Sequence, residues 1–157
     1  MVPTLWLANN FIKASFEGRM RYLTPMKLQK LLYFTYGVYA METGKPLFSE
    51  NFEAWQYGPV LSSVYHEFKF FGSGVINKYA TDAEGHAYIL KFEHPDYKEL
   101  GKIFDMICRK FSDNTGIQLS ELTHQADTPW ANSYANGIID FNKIKQYFIL
   151  HEAEYLQ

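Results

Sequence analysis

The stretch TPMKLQKLLYFTYGVYAMETG, Thr24 to Gly44, decides how the rest of the chain is read. Thr24 can cap a helix, and Pro25 suits its first turn because the missing N–H would be unpaired there anyway. Gly44 stands where helices often end in a left-handed conformation. Between them, Leu31 to Met41 carries no charge. Leu28, Leu31, Leu32, Phe34, Val38 and Met41 leave little of the circumference for water, and a helix apolar nearly all round is a buried one. The uncharged run falls well short of the ~20 apolar residues that cross a bilayer. It predicts the central helix of a soluble core.

Working outward, Leu5, Ala8, Ile12 and Phe16 repeat at helical spacing after Thr4, and Gly18 closes that segment ahead of a basic loop through Arg19 and Arg21. On the other side, Phe52 to Tyr57 is aromatic and partly alternating, which predicts a strand. Gly58-Pro59 breaks it and opens a helix with Val60, Val64 and Phe68 on one face, ended by Gly72-Ser73-Gly74. Val75 to Tyr79 and Ala87 to Phe92 flank the turn-rich Thr81 to Gly85 and read as a hairpin that could add to the first strand. Pro95 opens a helix with Leu100, Phe104, Ile107 and Phe111 inward. Leu119, Leu122 and Ala126 suggest a short helix, and Thr128-Pro129-Trp130 starts another that Asn136-Gly137 stops. Asp140 caps the last, with Phe141, Ile144, Phe148 and His151 along one side. The pattern predicts an α+β fold: one mainly helical domain over residues 1–157 around a buried central helix, with a small antiparallel sheet of two or three strands.

The totals narrow the function. A chain of 157 residues can bury a core without staples. Its net charge of -2 offers no general attraction to phosphate backbones. Cys108 is the only cysteine, which excludes an intramolecular disulfide and a Cys-based zinc site. The start, MVPTLWLANN, has no secretory pattern, so a cytoplasmic protein is expected. The 12 tyrosines and 13 phenylalanines are the unusual feature, suited to half-buried core edges and to partner surfaces alike.

Little in the pattern points to catalysis. No two of the five histidines stand at i, i+4, so neither a metal nor a cofactor is expected. Glu121 and Asp127 flank His124 three residues either side and would line up with it on a helix. That trio either caps a helix locally or forms the centre of a small hydrolase or transferase. Cys108, in an amphipathic segment, reads as a packed thiol. Lys27 and Lys30, in the first turns of the central helix and near Arg19 and Arg21, form the only basic concentration. A helix N-terminus disfavours cations. They snorkel, pair with a carboxylate such as Glu53, or serve a nucleic-acid-binding regulator. Tyr33, Tyr36 and Tyr39 drift round the helix past a notch at Gly37, as core packing or as a patch beside Trp55 and Tyr57.

Three blocks carry a resemblance: MKLQKLLYF (Met26 to Phe34), KPLFSENFEAWQYGPV (Lys45 to Val60) followed by VYHEFKFFG (Val64 to Gly72), and LTHQADTPW (Leu122 to Trp130). In this order and spacing they resemble the Panacea domain of SocA-like antitoxins and phage-associated GepA-like proteins. The resemblance spans nearly the whole chain, with no added DNA-binding segment. It implies the antitoxin of a toxin–antitoxin pair, often prophage-borne, which neutralises a toxin encoded nearby by direct protein contact and without enzymatic activity. It implies no membrane partner and leaves self-association open. The matching positions are Lys27, Leu28, Lys30, Leu31 and Tyr33; Glu53, Trp55, Gly58, Pro59 and Val60; and Thr123, His124, Pro129 and Trp130. Leu28, Leu31 and Val60 are packing residues, and Gly58-Pro59 makes a sharp strand-to-helix turn. Lys30, Glu53, Tyr57 and His124 are polar and need partners, which they are expected to find in one another.

Overall fold

The computed structural model describes residues 1–156. Its centre is helix α2, Pro25–Thr43, begun by Thr24, whose side chain accepts the Lys27 N–H, and ended by Gly44 at φ 74°. Every residue from Lys27 to Val38 is buried, more than three turns, so no face of that run meets water. Helices α4 (Lys98–Phe111), α5 (Gly116–Thr123) and α6 (Phe141–Leu150) pack against it most closely, with α1 (Thr4–Phe16) and α3 (Ser62–Phe68) beside them. A last turn, α7 (Glu152–Tyr155), folds Tyr155 back onto Phe34 and Phe148. The notch at Gly37 is filled by the Phe148 ring, which would lie 2.1 Å from a Cβ at that position. Among the described residues these are seven α-helices, with one two-stranded antiparallel sheet, and none of the helices is long and apolar enough to cross a membrane.

The sheet departs from expectation in an informative way. β1 is Glu53–Trp55 and β2 is Gly58–Val60, paired as Glu53 with Val60 and Trp55 with Gly58. The chain therefore reverses at Gln56-Tyr57, and Gly58-Pro59 opens the return strand instead of a helix. Gly58, at φ 114°, takes a conformation that few other residues reach. Helix α3 starts only at Ser62, where Glu50 accepts the Ser63 N–H and hydroxyl in place of a local cap. On the other edge of β1, residues 136–139 run alongside. Ala54 N–H donates to Gly137 O at 2.9 Å and Ile139 N–H to Phe52 O at 2.8 Å.

The hairpin expected at residues 75–92 is a loop. Its two arms do not pair, because side chains of α1 stand between them. Asn9 donates to Ala80 O and Tyr88 O and accepts the Ala80 N–H, while Asn10 exchanges both bonds with Leu90. Each amide mimics a peptide unit, so the loop backbone is satisfied without a ladder. The same asparagines displace the expected stripe of α1. Leu7, Ala8, Phe11 and Ile12 are its core side, whereas Leu5 is half-buried and Phe16 half-exposed. Thr4 is the first helical residue, and Pro3 precedes it as a cap without a side-chain bond. Nor is there a helix after Thr128-Pro129-Trp130. Thr128 makes a single turn, its hydroxyl accepting the Ala131 N–H, before the chain bends through Asn136 at φ 61° to reach β1. Ala126 lies past the end of α5 and is exposed.

Candidate partner-binding site

Two three-residue strands are too little to hold a hairpin in water. Here the main chain from Trp55 to Leu61 is gripped from both sides by side chains. From α2, Lys30 Nζ donates to Pro59 O at 3.1 Å, and Gln29 donates to Leu61 O at 3.0 Å while accepting the Leu61 N–H. From α5, Ser120 Oγ donates to Tyr57 O at 2.6 Å, and His124 Nε2 lies 2.9 Å from Gln56 O. From the turn beyond it, Trp130 Nε1 donates to Trp55 O at 2.6 Å. Four carbonyls of one short hairpin thus accept from side chains and a fifth, Gln56 O, faces the His124 ring; each bond is worth about 1 kcal/mol net and each orphaned carbonyl costs about 1–3.

Lys30, Glu53, Tyr57 and His124 do not satisfy one another, contrary to the expectation from sequence; Lys30 and His124 meet the hairpin backbone instead. Lysine and tryptophan only donate, so neither can serve the other, and the acceptors at hand are carbonyls left outside the short ladder. Glu53 Oε1 accepts the Trp55 Nε1–H at 3.2 Å, and no ion pair joins Glu53 to Lys30. Tyr57 contributes its carbonyl, while its side chain is 58% exposed. Thr123, buried, donates to Ser120 O, and its own carbonyl accepts from Thr128 Oγ1. A Cβ on Gly58 would come within 2.6 Å of Thr123 Oγ1 and 2.9 Å of Lys30 Cε, so glycine is required there by contact as well as by φ. Pro59 sits in β2 opposite Ala54, and Pro129, immediately before Trp130 in the chain, is buried.

His124 caps the C-terminus of α5. Its ring lies edge-on to Trp130 with centroids 4.2 Å apart, and Nδ1 is 2.7 Å from Ser120 O. Both ring nitrogens thus face carbonyl oxygens. Because α5 ends at Thr123, Asp127 never reaches helical register with His124; Asp127 and Glu121 are both exposed. The trio that sequence spacing aligned is not assembled.

The basic concentration is split, with Arg19 and Arg21 exposed and the two lysines buried. Lys27 is buried and its Nζ donates to Arg21 O at 2.6 Å and to Ser112 O at 2.8 Å, at the C-terminus of α4, where a cation is favoured. Burial lowers it to about 8. Lys30 is 1% exposed, and burial lowers it to about 7. Arg19 pairs with Asp105 at 2.7 Å, and Arg21 lies 3.7 Å from Asp113. Tyr33 is interior, edge-on to Phe34, Phe52 and Phe148, so the tyrosine series is core packing and forms no patch. Cys108 is buried and its thiol is pushed up to about 12 by desolvation, which leaves it unreactive.

What faces outward is the hairpin tip. Gln56 and Tyr57 are exposed and Trp55 is half-buried, with Tyr65 of α3, 40% exposed, edge-on to Trp55 at 4.8 Å. A cavity of about 420 Å³ opens between the tip, α2 and α3, and one of about 380 Å³ between the tip and the Trp130–Asn136 turn. Gln29, Ser120 and Tyr65 went unread in the sequence. A polar side chain on an otherwise buried helix must have a partner, and Gln29 carried that signal.

The family described as antitoxin SocA-like, Panacea domain, matches residues 28–131. Antitoxin SocA of Caulobacter vibrioides is 30% identical over 120 residues, 73% of this chain and 61% of that protein, so the chain spans less than two thirds of its relative's length. No solved structure matches the chain.

Proposed function

The chain belongs to the SocA-like antitoxin family of the Panacea domain, and from that membership we propose that it neutralises a partner toxin by direct contact through the outer face of the Trp55–Leu61 hairpin. The observation that carries the choice of face is the set of five carbonyls met by side chains, which holds the tip rigid while Trp55 and Tyr57 point outward. In this reading the motif divides in two. Lys30, Gly58, Pro59, Thr123, His124, Pro129 and Trp130 shape the hairpin from beneath, with Glu53 holding the Trp55 indole. Trp55 and Tyr57, joined by Tyr65, meet the toxin. Lys27 and Tyr33 serve the core.

Rigid aromatic side chains beside cavities are what dominate protein interfaces, because little entropy is lost on ordering them. An interface of this class buries roughly 1,600 Å² in total. The action is stoichiometric, in the cytoplasm, on a toxin encoded nearby. Co-expression with the neighbouring toxin should restore growth. Tyr57→Ala and Trp55→Ala, each folded by circular dichroism, should each weaken binding by about 2 kcal/mol and lose rescue. Full rescue by the double variant overturns the choice of face. Failure of the unaltered chain to rescue, or turnover of a substrate by the purified protein, overturns the antitoxin reading itself.

A further inference from the structure

The cavity between the hairpin tip, α2 and α3 is lined by residues of two opposite characters. Met26, Trp55, Tyr57, Val60 and Tyr65 make an apolar wall. Lys30 also lines the cavity, almost wholly removed from solvent. An ammonium has three N–H donors, and here one of them is used, toward Pro59 O. Among the described residues no carboxylate lies within ion-pair distance of it. The other charge on the lining is Lys69, again a cation, and no acidic side chain lines the cavity.

Buried charges in proteins are normally paired, because an isolated one costs several kcal/mol of desolvation. Methionine would fill the same volume without that cost. Burial without a counter-charge is also what lowers the Lys30 amine. An amine that titrates near neutral pH, a second lysine and no anion around an apolar recess make a site that a carboxylate would complete, because its negative charge would hold the Lys30 proton in place.

We propose that this cavity receives one acidic side chain of the partner toxin, its methylenes against the aromatic wall and its carboxylate on the Lys30 ammonium. The inference rests on the antitoxin reading for the source of that side chain. The cavity mouth is the face assigned to the toxin, so the anion arrives on a folded surface and needs no chain end.

The test uses the intact, ¹⁵N-labelled chain and three small probes: N-acetyl-glutamate N-methylamide, N-acetyl-glutamine N-methylamide, and N-acetyl-glutamine with its free α-carboxylate. The first should shift the amides of Met26 and Val60 and the Trp55 indole saturably in the millimolar range, with the second about tenfold weaker or more. Lys30→Met should abolish the difference. So should Lys30→Gln, which keeps a donor for Pro59 O while removing the charge. Equal binding of the first two probes, a difference that survives both variants, or no saturable shift up to about 50 mM overturns the proposal. Stronger binding of the third probe overturns the choice of a side chain in favour of a chain end. Growth rescue without carboxylate binding sinks the pocket alone, and carboxylate binding without rescue sinks the antitoxin reading alone.

Discussion

Lys30 is where stability and recognition pull apart. Its fall from 10.5 to about 7 puts the cost of burying the charge at several kcal/mol. Stranding Pro59 O by removing the amine costs about 1–3 kcal/mol, so the first effect wins. Lys30→Met should therefore stabilise the fold by about 1–3 kcal/mol at pH 7, read as a higher urea midpoint at unchanged slope. A lower midpoint would mean that the hydrogen bond outweighs the desolvation. Gly37 presents the opposite case. Alanine is the better helix former by about 1 kcal/mol, yet its methyl would sit inside the Phe148 ring. Gly37→Ala is expected to cost about 1–3 kcal/mol net, and Phe148→Leu in the same chain to recover part of that loss, as measured by thermal unfolding.

At the scale of elements, two segments keep their shape through side chains that do the work of a sheet. The 53–60 hairpin has three residues per strand and is held from α2 and α5. The 75–92 loop is held by two adjacent asparagines of α1. Asn9→Leu would strand Ala80 N–H, Ala80 O and Tyr88 O at once. Limited proteolysis should then cut within residues 81–87 at least about tenfold faster, while helical circular dichroism stays near its original value. Cleavage at an unchanged rate would show that the loop is held by its apolar contacts, Ile76 and Leu90, and not by the amides. The loop also shows why local patterning misled. Val75 to Tyr79 and Ala87 to Phe92 have strand composition, but composition cannot tell whether the partner of an extended segment is another strand or the amide of a helix asparagine. Asn9 and Asn10, among the apolar residues of α1, were the available sign that something there needed polar partners.

Across the whole molecule, the buried titratable groups oppose one another in their response to pH. Lys27 and Lys30 titrate at about 8 and about 7 in the fold and at 10.5 when exposed. Between those values the unfolded chain holds more protons, so stability rises with pH by up to about 1.4 kcal/mol per unit for each lysine. Tyr33, Tyr36, Tyr147 and Tyr155 are raised above 10.0 and Cys108 above 9.0, all chiefly by burial. Above those values the folded chain holds the extra protons, so stability falls. Urea midpoints should climb from about pH 7 to about 9 and drop beyond about 10. In Lys30→Met the rising limb should be shallower; a rising limb identical in the two proteins would remove Lys30 as its source.

By itself the amino-acid order determined the central helix with both its ends and the mainly helical class, because caps, proline, glycine and an unbroken apolar run act within a few residues of chain, and its motif blocks carried the family. The three motif blocks were legible as a set, and so was the need of Lys30 and His124 for partners. Which partners they take was decided by tertiary structure. The chain had to reverse at Gln56-Tyr57, with Gly58 at φ 114° just after, before Pro59, Gln56 and Tyr57 could bring their carbonyls under α2 and α5. Bonds that join residues 29 or more positions apart leave no periodic mark in the chain, and only folding brings such donors and acceptors within reach of each other.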